Sequence, residues 1–162
     1  MYQKIFELHS DILKALAHPK RLEIIQLLRD QSLSVCEIQP MLDLPQANLS
    51  QHLQILRQAG VVTTNKTGKQ IFYKIAHKNY IKACDLIREI LVEKYQDSPL
   101  ADELTLKMTD LVPLVTDPIC GMRLSPKTAA FAEKFKDNSY YFCAAGCLQQ
   151  FQKDPKKYVI NN

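Results

Sequence analysis

The chain has 162 residues, 46% of them hydrophobic, which leaves room for one ordinary domain or for a compact domain with a small appendage. No apolar run approaches the roughly 18–20 residues that cross a bilayer, and Met1 to Glu7 enter an amphipathic pattern directly, so a cytoplasmic protein with no membrane partner is expected. The net charge of +4 is unevenly placed: residues 1–95 hold 13 Lys and Arg against 9 Asp and Glu, and residues 96–162 hold 8 against 8. The excess positive charge therefore lies in the N-terminal part, where it suits a polyanion. Five cysteines, an odd count in a chain expected to be cytosolic, exclude a complete disulfide framework and leave free thiols, metal ligands or a redox pair.

Ile5, Leu8, Ile12, Leu13 and Leu16 recur at helical spacing and predict a first amphipathic helix. His18-Pro19 ends it, and Pro19 suits the first turn of a second helix with Leu22, Ile25 and Leu28 on one face. Ser34-Val35-Cys36-Glu37 reads as a capping box that starts a short third helix, whose buried side is Ile38, Met41 and Leu42. Asp43-Leu44-Pro45 makes a tight connection to a fourth helix, which ends at Ala59-Gly60.

Leu49, Leu53 and Leu56 form the apolar stripe of that fourth helix. Ala47, Ser50, Gln51, Gln54 and Gln58 project opposite, with Asn48 on the flank. An ordinary polar face is one reading of this pattern. The other is base readout, because Asn and Gln pair with adenine edges and Ser donates or accepts. Context favours readout: a short helix, a turn and a second helix with a polar outer face is the helix-turn-helix plan. It assigns DNA contact to Gln46, Asn48, Ser50, Gln51 and Gln54. Val61 to Thr64 and Gln70 to Ile75 then read as a hairpin joined around Thr67-Gly68, with Lys66 and Lys69 near a tip where a wing touches phosphates. A last helix from about Asn79 to Lys94 carries Ile81, Cys84, Ile87 and Leu91 on one stripe. That stripe, like the first helix, needs a partner, and a second subunit supplies one.

Leu16-Ala17-His18-Pro19-Lys20-Arg21-Leu22, Ser50-Gln51-His52-Leu53, Leu56 to Val62 and Gly68 to Tyr73 resemble the ArsR/SmtB family of winged-helix repressors over roughly residues 5–95. The resemblance implies a homodimer packed through its first and last helices, a fourth helix that enters the major groove of double-stranded operator DNA, and release when an inducer binds. The family's Cys-x-Cys motif on the third helix is here Ser34-Val35-Cys36, one thiol short. Its Asp-x-His and His-x-x-Glu pairs on the last helix are missing, with only His77 near the start. His52 and His18 read as packing or capping residues, and His9 and His77 as surface or turn residues.

Gln96 to Pro99 breaks the helical pattern, and a short linking helix is predicted from Leu100 to Leu111, ahead of Pro113. From Thr116 the texture changes to a cysteine loop, Asp117 to Met122. Next come a hairpin from Phe131 to Cys143 turning at Lys136-Asp137-Asn138, and a helix through Cys147 and Phe151 that ends at Asp154-Pro155. The spacing Cys120-x22-Cys143-x3-Cys147 puts a strand-end thiol and a helix-start thiol at one spot, where a loop thiol can join them. So small a module has little core, and a bound metal is a common remedy.

Asp117-Pro118-Ile119-Cys120-Gly121-Met122, Tyr140 to Cys143, Cys147, Phe151, Asp154-Pro155 and Tyr158 resemble the YHS/TRASH family, which implies heavy-metal sensing or trafficking. Two positions depart from it: Ala144 stands where a serine is common, and Asp137 replaces the usual hairpin glycine. Three thiolates without histidine favour a thiophilic ion as the cofactor. Cu(I) is favoured, As(III) and Hg(II) fit, and Zn(II) would want a fourth ligand, for which Asp117 is nearest. Met122 is a further thioether, better read as an apolar plug.

The fold expected is therefore mainly α with a β-wing, residues 1–95, then a linker over 96–115 and a small α+β metal-binding module over 116–162. The leading function is a metal-responsive repressor. One alternative is a repressor sensing oxidant, sulfide or persulfide through Cys36 and Cys84, and another is a metal-carrying or buffering protein. No nucleophile–base constellation or phosphate-cradling loop suggests an enzyme.

Overall fold

The structure, a computed structural model, describes residues 2–106, 114–127 and 129–159. The chain divides into two compact units, residues 1–108 and 109–162. In the first unit α1 (Tyr2–Leu16) and α2 (Pro19–Leu27) are joined by the Leu16–Arg21 motif, in which His18, Pro19 and Arg21 each meet a loose helix end. His18 caps α2 by accepting the Lys20 N–H at its Nδ1, 3.1 Å away. Pro19 fills the first helical position, where no N–H is needed. Arg21 turns back to donate to the terminal carbonyls of α1, Ala15 at 2.5 Å and Lys14 at 3.1 Å.

Helix α2 buries Ile24, Ile25, Leu27 and Leu28, while Leu22 is exposed, so the single stripe expected from Leu22, Ile25 and Leu28 is not what forms. The helix packs against α1 and three later helices, and burial on several sides needs no single stripe. A two-residue strand, β1 (Leu33–Ser34), precedes α3 (Val35–Leu42), and the Ser34 N–H donates to Glu37 at 2.8 Å as the capping box requires. Asp43 adopts a left-handed φ of 49° to turn the chain into α4 (Gln46–Gln58). That helix stops in a paired-carbonyl cap: Gly60, at φ 70°, donates to Arg57 O and Val61 donates to Leu56 O. Leu56 and Val61, the two apolar ends of this cap, are fully buried.

The wing pairs β2 (Val62–Thr67) with β3 (Gln70–Ile75) antiparallel, and β3 also pairs with β1, giving the order β1-β3-β2. The first wing strand runs three residues beyond the expected Thr64, to Thr67, because only Gly68-Lys69 is needed to turn. Helix α5 (Asn79–Lys94) follows, and α6 (Ala101–Thr105) packs on it, with Arg88 donating to the Leu104 carbonyl at 2.8 Å. The predicted linking helix thus covers five residues, and its 107–111 portion, with Pro113, lies outside the described residues. Ile5, Phe6, Leu8 and Leu13 on α1, and Leu86, Ile87 and Ile90 on α5, are at least half exposed.

The second unit holds two small antiparallel ladders, β4 (Val115–Thr116) with β5 (Arg123–Leu124), and β6 (Phe131–Phe135) with β7 (Asn138–Phe142). Helices α7 (Ala145–Lys153) and α8 (Pro155–Tyr158) close it. Its core is Phe151, fully buried and ringed by Phe142, Tyr140, Phe135 and Tyr158 at centroid distances of 5.1, 5.0, 6.2 and 6.5 Å. Helix α7 ends at Asp154-Pro155 as expected, and Pro155 occupies the first turn of the further short helix α8.

Candidate nucleic-acid interface and candidate metal centre

Helix α4 is two-faced. Leu49, Leu53 and Leu56 are fully buried, and Gln46, Asn48, Ser50, Gln51 and Gln54 are all exposed on the remaining surface. Lys66 and Lys69 are exposed at the wing tip, where Gly68 takes the left-handed φ of 62° that the two-residue turn demands. The face therefore offers amides and a hydroxyl on a helix, with two ammonium groups on a neighbouring hairpin.

His52 sits on the flank of α4 with its ring 4.5 Å from that of His18, and its Nδ1 is buried without a hydrogen-bond partner among the described residues. Burial, then the nearby His18 and Arg21, lower its pKa, so the ring is held neutral. Cys36 is exposed in the first turn of α3, while Cys84 on α5 is half-buried, with burial pushing its thiol up. These two free thiols belong to different elements of the first unit.

The remaining cysteines converge. Cys120 comes from the loop between β4 and β5, Cys143 from the residue after β7, and Cys147 from the first turn of α7. The Sγ of Cys143 lies 3.4 Å from that of Cys120 and 3.8 Å from that of Cys147. With a carboxylate oxygen of Asp117, all ligand atoms fall within 4.8 Å of one another. Metal–sulfur bonds of about 2.3 Å separate sulfurs by about 4 Å in a planar triangle, so one ion fits the three thiols with little rearrangement. Cys120 is exposed and the other two are half-buried, which leaves one side open.

Asp117 is fully buried. Its Oδ1 accepts from the N–H groups of Ile119 at 2.9 Å and Cys120 at 3.4 Å, and its Oδ2 accepts from that of Cys143 at 2.9 Å. Burial raises the carboxyl, but these backbone donors outweigh it and hold the group below the usual carboxylate range. Burial, with Cys120 and Asp117 close by, drives the Cys143 thiol well up, and burial foremost pushes Cys147 up to about 11. An ion entering the cluster must therefore displace thiol protons, and capture strengthens as pH rises. Sequence spacing placed all three sulfurs, but the amide bonds of Asp117 had no signal there beyond its position before a proline.

The family model for "Bacterial regulatory protein, arsR family" matches residues 18–64, and that for "YHS domain" matches residues 115–161. A biofilm growth-associated repressor of Agrobacterium fabrum is 44% identical over 79 residues, 49% of this chain and 65% of that protein. The HTH-type transcriptional repressor SmtB of Mycobacterium tuberculosis is 39% identical over 46% of this chain and 55% of its own length. The chain thus spans less than two thirds of these two relatives. Among solved structures, M. tuberculosis Rv0081 superposes with a TM-score of 0.53 at 34% identity, covering 57% of this chain and 94% of that one. A homodimeric winged helix-turn-helix DNA-binding domain from Mycobacterium bovis gives a TM-score of 0.53 at 25% identity, over 56% and 84% of the two chains. The exposed amide face, the wing and the cysteine cluster thus occur in a chain that belongs to the arsR family of bacterial regulatory proteins and carries a YHS domain behind its winged helix.

Proposed function

We propose that this chain is a cytoplasmic, homodimeric repressor that leaves its operator DNA when a thiophilic ion binds Cys120, Cys143 and Cys147. Residues 1–95 dimerise and hold DNA, residues 96–115 link, and residues 116–162 capture the ion. The observation that carries this reading is the convergence of three sulfurs from a loop, a strand end and a helix start, with no histidine among them. Such a donor set favours Cu(I), accommodates As(III) and Hg(II), and suits Zn(II) only with a fourth ligand. On the DNA side, Gln46, Asn48, Ser50, Gln51 and Gln54 read base edges while Lys66 and Lys69 meet phosphates. Two relatives named as repressors support repression, and the homodimeric M. bovis domain supports the dimer. Release requires that the ion bind the DNA-free state more tightly than the DNA-bound state, since an ion with equal affinity for both shifts nothing.

The test is titration of the reduced full-length chain with Cu(I), As(III), Hg(II) and Zn(II), followed by operator binding with each ion that is held. One ion per subunit should lower operator affinity. The variant with Cys120, Cys143 and Cys147 all changed to Ser should bind the operator normally and ignore the ion. An undiminished response in that variant would move sensing to the winged helix, and unaltered operator binding by the loaded wild type would leave storage as the module's role.

A further inference from the structure

We propose that Asp117 is a positioning residue and not a metal ligand: its carboxylate clips the Cys120 loop to the end of β7 and so presets a site of three sulfurs. This inference rests on the metal-binding reading above.

The carboxylate sits among the nearest possible ligand atoms, and proximity alone would make it the fourth donor. Its hydrogen bonds favour a different role. Two of the three N–H groups it accepts from belong to Cys120 and Cys143, the residues whose sulfurs lie 3.4 Å apart, and they come from segments 23 residues apart in the chain. The third, from Ile119, steadies the same loop. The Asp117 backbone closes that loop as well, donating to Met122 O and accepting from Gly121 N, both at 2.9 Å. Gly121, at φ 74°, takes the left-handed turn this closure needs. One residue thus fixes where two of the three sulfurs begin.

The carboxylate also takes hydrogen bonds from the Cys143 and Cys147 thiols, but both its oxygens already serve the amides, and drawing it onto an ion would strain those bonds in a partly buried site. Holding still, it supports two thiol-bearing segments at once, the work that outer groups perform for metal ligands. A three-sulfur site follows, and with it a preference for ions content with three thiolates over ions that need a fourth, harder donor.

The test combines three measurements on the full-length chain. X-ray absorption at the metal edge of the Cu(I)-loaded wild type should show sulfur neighbours alone; an oxygen neighbour that disappears in Asp117→Asn would overturn the proposal. Competition titrations of Asp117→Asn should show Cu(I) and Zn(II) weakened alike, by about 10–100-fold, because the asparagine amide can accept from one segment but not from both. Selective loss of Zn(II) with Cu(I) unchanged would identify Asp117 as a ligand. Amide exchange in the metal-free protein keeps the two readings apart. The N–H groups of Ile119, Cys120 and Cys143 should be protected in the wild type, and Asp117→Asn should expose those of one segment, either Ile119 and Cys120 or Cys143, whether or not any ion is ever held. Fast exchange at all three in the metal-free wild type would also overturn the clip. If Asp117→Asn fails to fold, the wild-type spectrum and wild-type exchange still decide. A wild type with protected amides that holds none of the four ions would sink the metal reading and leave the clip standing.

Discussion

His52 shows how one side chain on the flank of α4 can tie fold stability to pH. Its buried Nδ1 has no hydrogen-bond partner among the described residues, and its ring lies against His18, the cap of α2. Burial foremost, then the charge that a proton would add beside His18 and Arg21, holds its folded pKa below the ordinary 6.5. The unfolded chain then binds more protons than the folded one between the lowered value and about 6.5. Stability is complete above that range and falls as pH drops through it. Denaturant melts at stepped pH should show this slope, and His52→Gln should flatten it; a slope unchanged in the variant would assign the titration elsewhere. The two thiols of the first unit invite a second residue-scale prediction. Cys36 is exposed in a first helical turn and Cys84 is half-buried with its thiol pushed up, so alkylation of the native metal-free protein should label Cys36 first. Faster labelling of Cys84 would contradict that placement.

At the scale of elements, the β6–β7 hairpin carries a local strain that can be removed. Lys136 and Asp137 both take positive φ, 46° and 33°, in a two-residue turn. Such turns strongly favour Asn-Gly or Asp-Gly, because a side chain at positive φ crowds the backbone. Asp137→Gly should therefore stabilise the hairpin by about 0.5–1 kcal/mol, read as a higher unfolding midpoint of the metal-free second unit. A lower midpoint would show that Asp137 serves another contact. The sequence already marked this position, as it did α4, α5 and the wing, because long periodic segments and glycine turns write themselves into residue spacing. The ladders β1 and β4–β5 were not legible, since strands of two residues have no period to read. The sulfur cluster was legible from Cys120-x22-Cys143-x3-Cys147 alone. The clip at Asp117 was not, because it depends on backbone amides as far as 26 residues away.

For the molecule as a whole, the apolar rows on α1 and α5 are the largest unmet demand in the first unit. Ile5, Phe6, Leu8 and Leu13 on one helix, and Leu86, Ile87 and Ile90 on the other, are at least half exposed in the single chain. Fully burying such a side chain gains roughly 1.5–3 kcal/mol, and a two-fold interface uses every one of them twice. In the proposed repressor, dimerisation through these rows would also serve DNA binding, because two α4 faces held at a fixed spacing read two half-sites as one. The charge excess in residues 1–95 would then act twice on one polyanion. Leu86→Glu combined with Ile90→Glu places four carboxylates in that interface. It should convert the chain to a monomer in sedimentation experiments while leaving its helical content intact. Operator affinity should fall by about two orders of magnitude or more, the loss expected when a second half-site contributes only at millimolar effective concentration or not at all. Metal capture by Cys120, Cys143 and Cys147 should be unaffected, since the substituted residues lie in the other unit. A doubly substituted chain that still sediments as a dimer and binds its operator at full strength would place the interface on some other surface.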